Sequence, residues 1–193
     1  AKEKHMSLES VTNGKRGPAY AYYGTAGSEA TVGFSEGGMK WQVTTTTAEV
    51  KFDQRGVSAA KKIITGRGAQ VTLMLAEDVL ETYELMFPGT QIEADTITPT
   101  IRKLVITQNV GLDLLTVAQS LLIKPQVSGV PSTDENEWVR FYKAVPTDVS
   151  PTVEYNRDNQ RIFEVVFDCF PDSAHDYALG VIGDESADGG ISG

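Results

Sequence analysis

The side chains that could carry out chemistry in this sequence are few and widely separated. Histidine occurs only at positions 5 and 175, and the single cysteine is Cys169. A Cys–His nucleophile pair also needs an orienting group and an oxyanion loop, and no motif for either accompanies Cys169 and His175. The thiol lies in an apolar run, which favours a buried and inert cysteine. We expect His175 in a surface loop and no cysteine-based activity.

Ser58 and Lys61 match the Ser-x-x-Lys spacing of penicillin-recognising enzymes. That motif requires the serine at the start of a helix, together with Ser-Asp-Asn and Lys-Thr-Gly elements. Neither tripeptide occurs in the sequence, and Ser58 lies between two predicted strands. The run Gly66-Arg67-Gly68 is too short for a phosphate loop and precedes a strand. It is predicted to be a turn.

The acidic segment from Asp184 to Gly189 begins like a calcium-binding loop. An EF-hand needs a glutamate at the twelfth position and a helix on each side, and the sequence stops at Gly193, before that position. A flexible acidic tail over 185–193 is the better interpretation. We therefore predict no catalytic residue, no metal site and no cofactor.

Several aromatic residues could form a stacking platform for single-stranded nucleic acid. Such a platform needs a basic groove beside it, whereas the net charge is −9, from 17 basic and 26 acidic residues. That balance argues against a general nucleic-acid binder. Packing in the core or between subunits is the predicted role of these residues, which are Tyr20, Tyr22, Tyr23, Trp41 and Trp138.

Length and composition indicate a single domain. The chain has 193 residues, of which 40% are hydrophobic and 22% charged, so it can bury a real core. One cysteine excludes an internal disulfide. The first ten residues lack the apolar region of a secretory signal, and the most apolar window, 112–123, is too short to span a bilayer. We expect a soluble protein made in a reducing cytoplasm.

The elements that would position these residues are mostly strands. Alternating polar and apolar residues predict strands at 39–43 and 48–52, joined as a hairpin, and further strands at 61–65 and 71–75. The period then changes to that of a helix, over about 78–87, and Pro88-Gly89 ends it. Further strands follow up to the apolar segment 161–170. The predicted class is mainly β: two packed antiparallel sheets, a β-sandwich or half-barrel, with one flanking helix.

The order and spacing of several short motifs resemble the tail tube (major tail) proteins of long-tailed bacteriophages. The resemblance starts in the succession of strands, helix and Pro-Gly over Lys51–Phe87 and extends from about Gly37 to Asp184. Ala1 to Ser35 does not align. Besides that succession, the motifs are Gly37-Gly38, Asp53-Gln54, Leu121-Leu122-Ile123-Lys124-Pro125, Phe141 to Pro146, Arg161 to Phe167, Phe170-Pro171-Asp172 and Ile182-Gly183-Asp184.

The resemblance implies a structural protein of the virion tail, assembled in the host bacterial cytoplasm. Such subunits form hexameric rings that stack into a tube, and DNA passes through the lumen without specific binding. The implied partners are other copies of the chain, a tape-measure protein, the tail terminator, baseplate or tip proteins and, in a contractile tail, a sheath protein. An N-terminal arm and loop region over 1–35 would precede the β core at 37–184.

Three groups of residues receive roles on this interpretation. The candidates for the wet, lumen-facing side of the strands are Lys40, Gln42, Thr44, Glu49, Lys51, Gln70 and Thr72. The candidates for a loop that bridges rings or subunits are Arg55, Ser58, Lys61 and Lys62. The residues expected to pack in the core or against the helix are Trp41, Val50, Phe52, Val71, Leu73, Leu75, Val79, Leu80, Tyr83 and Met86.

Two alternatives remain open at the level of sequence. One is the tube or terminator protein of a related contractile injection particle. The other belongs to a different class, a β-sandwich that binds carbohydrate or another ligand through the aromatic residues.

Overall fold

The computed structural model describes residues 17–50, 61–147 and 160–187. Two short helices are present, α1 (Leu80–Met86) and α2 (Leu114–Val117), with single 3-10 turns at Glu135–Glu137 and Ser173–His175. The strands in chain order are β1 (Ala19–Gly24), β2 (Ala30–Thr31), β3 (Ser35–Val50), β4 (Lys61–Leu75), β5 (Ile92–Ala94), β6 (Arg102–Leu104), β7 (Gln119–Val127), β8 (Val130–Pro131), β9 (Val139–Pro146), β10 (Phe163–Phe170) and β11 (Gly180–Ile182).

Nine strands form one antiparallel sheet in the order β2-β1-β7-β9-β10-β4-β3, with β8 paired to β7 and β11 paired to β9. β5 and β6 form a separate two-stranded sheet. The longest pairing is that of β3 with β4, and β3 has no further neighbour in this order. The described part of the chain therefore presents a 16-residue strand at one edge of the large sheet.

The core lies on one face of the large sheet. Val71, Leu73 and Leu75 of β4 pair with Phe167, Val165 and Phe163 of β10, and all six side chains are almost completely buried. Successive side chains of a strand point to opposite faces, so this alternation places every second residue of both strands in the core. Burying each such side chain contributes about 1.5–3 kcal/mol.

The large sheet curls over its own core face. β7 and β9 separate β1 from β10 in the strand order, yet the rings of Tyr23 and Phe167 are only 5.2 Å apart. The Tyr23 hydroxyl also donates to the carbonyl oxygen of Ala144 in β9, at 3.1 Å. The result is a mainly β, sandwich-like fold, as the sequence predicted.

Helix α1 covers part of this core. Its Tyr83 ring packs edge-on against Phe163, with ring centroids 5.4 Å apart, and Met86 is 4% exposed. The helix stops before Pro88, which lacks a backbone N–H, and Gly89, which has a φ of +77°. The predicted helix over 78–87 is thus confirmed, with ends one or two residues inside the expected ones.

The strand pattern before this helix differs from the prediction in two places. Thr44 to Thr47 continue β3 instead of forming a turn, because these β-branched residues favour extended backbone and the run lacks Gly, Pro, Asn or Asp. Gly66 and Gly68 lie inside β4, where they pair with Thr46 and Thr44. A register shift between Thr46 and Thr47 accommodates an extra residue of β4, which is a usual role of glycine in strands.

Two terminal segments also depart from their predicted descriptions. The region assigned to an N-terminal arm and loop, 1–35, contains β1, which lies within the large sheet and whose Ala21 is fully buried. Glu185, placed in the acidic tail, lies 3.5 Å from the Arg140 guanidinium and 3.8 Å from Nε2 of His175. These contacts hold the start of that tail against β9.

Candidate assembly surface

The side chains first considered for chemistry do not form a catalytic centre among the described residues. Cys169 belongs to the buried core, and burial raises the pKa of its thiol to about 12, so the thiolate nucleophile is disfavoured. His175 lies outside that core, where its ring stacks on Tyr142 and its Nδ1 is 2.7 Å from Asp172. The sequence placed it in a surface loop, and the structure places it in an exposed 3-10 turn.

Two features are absent from the described ranges, a cluster of metal-ligating side chains and a membrane-spanning helix. Within 17–50, 61–147 and 160–187, no three His, Cys, Asp or Glu side chains come together as a metal site. The same ranges contain no helix that is long and apolar enough to cross a membrane. Asp184, a calcium-loop candidate, instead accepts hydrogen bonds from the backbone N–H and the hydroxyl of Ser186.

The aromatic residues are divided between the core and the surface. Tyr23 faces the core, whereas Tyr22 and Trp138 flank the Lys124 ammonium, which lies 3.6 Å from the centroid of the Trp138 ring. The Trp138 indole N–H donates to the carbonyl oxygen of Ser132. Lys124 therefore covers one face of the Trp138 ring, from which a base or sugar stacked there would have to displace it.

The dominant surface feature is a two-stranded projection, which we call the arm: residues 40–50 of β3 and 61–68 of β4. Every residue of the arm is exposed except Val50, which is half-buried. By contrast, the next residues of β4, Ala69 to Leu75, are alternately buried by β10. At the base of the arm, residues 40–43 pair with residues 69–72 of β4, which β10 still flanks, and from Thr44 and Gly68 outward only β3 and β4 pair with each other.

One face of the arm, the polar face, collects most of the residues predicted for a wet lumen. Lys40, Gln42 and Thr44 pair with Thr72, Gln70 and Gly68, and cross-strand partners share a face. The polar face continues onto β10, because the Gln70 amide donates to Asp168 at 2.9 Å. The structure therefore brings together five of the predicted lumen residues on one surface.

Two further members of the polar face were not predicted. Asp168 accepts hydrogen bonds from Gln70 and from the Thr147 hydroxyl, the latter at 2.8 Å. The sequence did contain a signal for Asp168, since Glu164 and Asp168 alternate with the buried Phe163, Val165 and Phe167. Thr147 follows β9 immediately, and no pattern in the sequence marked it.

The opposite face, which we call the apolar face of the arm, continues the core face onto the exposed edge of the large sheet. Trp41 and Val43 lie on it and are 41% and 45% exposed, although the Trp41 ring still contacts Phe141 edge-on. Arg67, which pairs with Thr45, shares this face. No ion pair of Arg67 occurs within the described chain, so an exposed guanidinium lies beside exposed apolar side chains.

The positions predicted for Glu49, Lys61 and Lys62 change with the strand bounds. Because β3 runs without interruption to Val50, its alternation puts Glu49 on the side of Trp41 and not with Lys40. Lys61 and Lys62 begin β4, which confirms the strand predicted at 61–65 and corrects the loop role given to these two residues. Lys62 forms an ion pair with Glu49 at 3.2 Å. The remaining candidates fall outside the described residues; they are Lys51, Phe52, Arg55 and Ser58.

The set predicted to pack in the core separates into three levels of burial. Val71, Leu73, Leu75 and Met86 are buried, and Val50, Leu80 and Tyr83 are half-buried. Trp41 and Val79 are exposed, which corrects their assignment to the core. Trp41 lies on β3, which forms one edge of the large sheet, and Val79 is the N-cap of α1, ahead of the turn that packs inward.

A cleft of about 1030 Å³ lies beside α1, between β2, α2 and the end of β9. Two of its carboxylates, Glu77 and Glu84, accept hydrogen bonds from the backbone N–H groups of Phe34 and Ile92. A third, Glu81, is paired with Arg102. The cleft also has an apolar lining that includes Leu85. It is therefore acidic and partly apolar, and the sequence did not predict it.

Comparison with known proteins leaves these surfaces to be interpreted on their own geometry. No protein-family model matches the chain, and no curated protein matches its sequence.

Proposed function

We propose that this protein is the structural subunit of a bacteriophage tail tube, which forms hexameric rings that stack around a lumen for DNA. The observation that carries the proposal is the arm, a long ribbon that leaves the fold with both faces exposed. A two-stranded ribbon is at best marginally stable by itself in water. A second copy of the chain that covers one face would stabilise it.

The apolar face supports self-association. Trp41 and Val43 extend the hydrophobic core into solvent, and Ile64, which pairs with Thr47 on the same face, is 54% exposed. Adjacent exposed apolar side chains of this kind mark interaction surfaces. Within the described part of the chain the outer edge of β3 has no partner strand, so it adds backbone donors and acceptors that a neighbouring strand would satisfy.

The polar face suits the wall of a conduit. Its described side chains include amides and hydroxyls, and its charged members balance in sign, with Lys40 and Lys61 on the arm and Asp168 and Glu164 on β10. DNA binding gains affinity when cationic side chains release counterions from the phosphates. A nearly neutral wall in a chain of net charge −9 offers little of that gain, so DNA would pass without being held.

The further partners belong to the same proposal and come from the resemblance in sequence. They are a tape-measure protein inside the lumen, a terminator and a baseplate or tip at the two ends, and a sheath if the tail contracts.

Two substitutions at neighbouring positions test the proposal, because Val43 and Thr44 are both exposed and point to opposite faces of β3. Negative-stain microscopy and sedimentation of the purified protein should show rings or tubes for the unmodified chain. Val43→Asp should remain a folded monomer, since it places a charge in the contact. Thr44→Asp should still assemble, because its side chain faces water in the lumen.

Circular dichroism confirms that each variant is folded before assembly is compared. A monodisperse monomer of the unmodified chain at all concentrations, particularly one that binds glycans, would contradict the proposed function. Equal assembly by both variants would contradict the assignment of the two faces.

A further inference from the structure

The distribution of charge divides this molecule into a basic arm and an acidic helical region. The arm carries four basic side chains and one acidic side chain, although the whole chain has a net charge of −9. From Ala76 to Ile101 there are six acidic residues and no basic residue. Opposite charge on two separate surfaces steers association between copies of the same chain.

Two carboxylates of the cleft have no cation beside them in the described structure. Glu81 is neutralised by Arg102 and Asp78 by Arg161, whereas Glu77 and Glu84 receive only backbone N–H groups. These N–H bonds fix the two carboxylates at the cleft and leave their charge uncompensated. A cation brought by another molecule would complete the site.

The apolar face of the arm offers the matching combination. Arg67 provides a guanidinium without an ion-pair partner among the described residues, and Trp41 and Val43 provide apolar area on the same face. The cleft presents Leu85, Val117 and Leu112 next to its carboxylates. We propose that the apolar face of the arm in one copy docks into the acidic cleft of a second copy, with Arg67 directed towards Glu77 and Glu84.

The position of the arm makes this contact intermolecular. β4 ends at Leu75, two residues before Glu77, and runs away from the cleft towards Lys61. At about 3.3 Å per residue, Arg67 lies on the order of 25 Å along the strand from that end. The arm of a given copy therefore points away from its own cleft.

Such docking is heterologous, because the arm and the cleft are different surfaces of the same subunit. β3 forms one edge of the sheet order, and β2, which borders the cleft, forms the other. Heterologous contacts continue from copy to copy and generate rings or filaments. The inference rests on the proposed self-assembling function and specifies which surfaces meet.

The contact can be tested with a double-mutant cycle. It compares the unmodified chain, Arg67→Glu, Glu77→Gln with Glu84→Gln, and the combination of all three substitutions, by sedimentation velocity across a concentration series. Arg67→Glu should raise the concentration needed for half-assembly on the order of 100-fold, since like charges would face each other. Glu77→Gln with Glu84→Gln removes the charge of the cleft but keeps oxygen atoms that accept from Phe34 and Ile92. In the unmodified background it should weaken assembly about five-fold.

The diagnostic result is that the two glutamine substitutions have opposite effects on assembly in the two backgrounds. In the Arg67→Glu background the two glutamine substitutions should strengthen assembly, because they remove the repulsion between the new glutamate and the cleft. Lys40→Glu is the matched control: it reverses the same charge at an exposed position on the polar face of the arm and should leave the half-assembly concentration within about two-fold.

The remaining outcomes separate this inference from the proposed function. If the unmodified chain assembles and Arg67→Glu has no more effect than Lys40→Glu, another occupant fills the cleft and the inference is overturned, while the proposed function stands. Glutamine substitutions that act alike in both backgrounds overturn it as well. If the unmodified chain never assembles, both the proposed function and this inference are contradicted.

Discussion

Gly180 in β11 lies so close to Arg140 in β9 that a Cβ atom at position 180 would be 2.2 Å from the Arg140 carbonyl oxygen. The pairing of β11 with β9 therefore depends on a residue without a side chain. Phe141, the direct cross-strand partner of Gly180, is buried in the core. A shift of β11 would thus disturb the covering of that core.

We expect Gly180→Ala to destabilise the fold by about 1–3 kcal/mol, because the backbone of β11 or β9 must move to relieve the clash. Urea unfolding followed by circular dichroism measures the change. Gly68→Ala is the control, since a Cβ at position 68 meets nothing within 4 Å. Similar losses of stability in both variants would show that the close approach of β11 and β9 is not the cause.

Tyr83 is expected to set the ionisation of Asp78. Its hydroxyl donates to Asp78 at 2.8 Å, and this bond is the main reason that the pKa of the carboxyl is low, with Arg161 as a further contributor. Tyr83→Phe should therefore raise the Asp78 pKa, as measured by NMR titration. A carboxyl with a depressed pKa stabilises the fold above about pH 4 and loses that contribution as the pH falls.

Asp95 provides an internal reference in the same titration. Its pKa is lowered by the backbone N–H groups of Thr98 and Ile97, which do not involve Tyr83. The Asp95 curve should coincide in the two proteins. An unchanged Asp78 curve in Tyr83→Phe would refute the assigned cause.

Stability at high pH should depend on Cys169. Burial raises the pKa of its thiol to about 12, so the folded state keeps the proton that the unfolded chain loses near pH 9. The contribution of the Cys169 thiol to the free energy of unfolding is therefore complete below pH 9 and declines as the pH rises towards 12. At pH 10.5 the loss amounts to about 2 kcal/mol.

Urea unfolding at pH 8 and pH 10.5 measures that loss, and Cys169→Ala should reduce it. Tyr23 accounts for part of the remaining dependence, because burial also raises the pKa of its hydroxyl to about 12. Identical pH dependence in the unmodified protein and in Cys169→Ala would rule out the thiol as a source.

The core face and the polar face of the β3–β4 ladder should respond very differently to substitution. Leu73 is fully buried, so Leu73→Asp places a charge in the core and should prevent folding. Leu73→Ala should cost about 2–5 kcal/mol. Thr44→Ala, on the exposed polar face across the ladder, should change the free energy of unfolding by less than about 0.5 kcal/mol. Chemical denaturation distinguishes these cases, and equal effects would mean that the faces are misassigned.

The parts of this fold that the sequence predicted are those specified by local periodicity. Val71, Leu73 and Leu75 alternate with polar residues, and the apolar period then changes at the start of α1. Both signals depend on neighbours within a few residues, so they do not require knowledge of the rest of the chain.

The mispredicted parts depend on contacts between distant segments. The strand status of Gly66 and Gly68 follows from pairing with β3, and glycine by itself equally favours a turn. The face occupied by Glu49 required the knowledge that Thr44 to Thr47 stay extended. The cleft joins residues from β2, α1, α2 and β9, which are far apart in sequence. No local pattern brings those elements together.

Trp41 should report assembly directly, because it is one of two tryptophans and lies on the apolar face of the arm, 41% exposed. If a second copy covers that face, the accessibility of Trp41 to acrylamide should fall and its emission should move to shorter wavelength as rings form. Trp41→Phe leaves only Trp138, whose indole N–H is already bonded to the Ser132 carbonyl. The emission of Trp138 in this variant should not change on assembly. A shift as large as that of the unmodified protein would mean that the contact lies near Trp138, away from the arm.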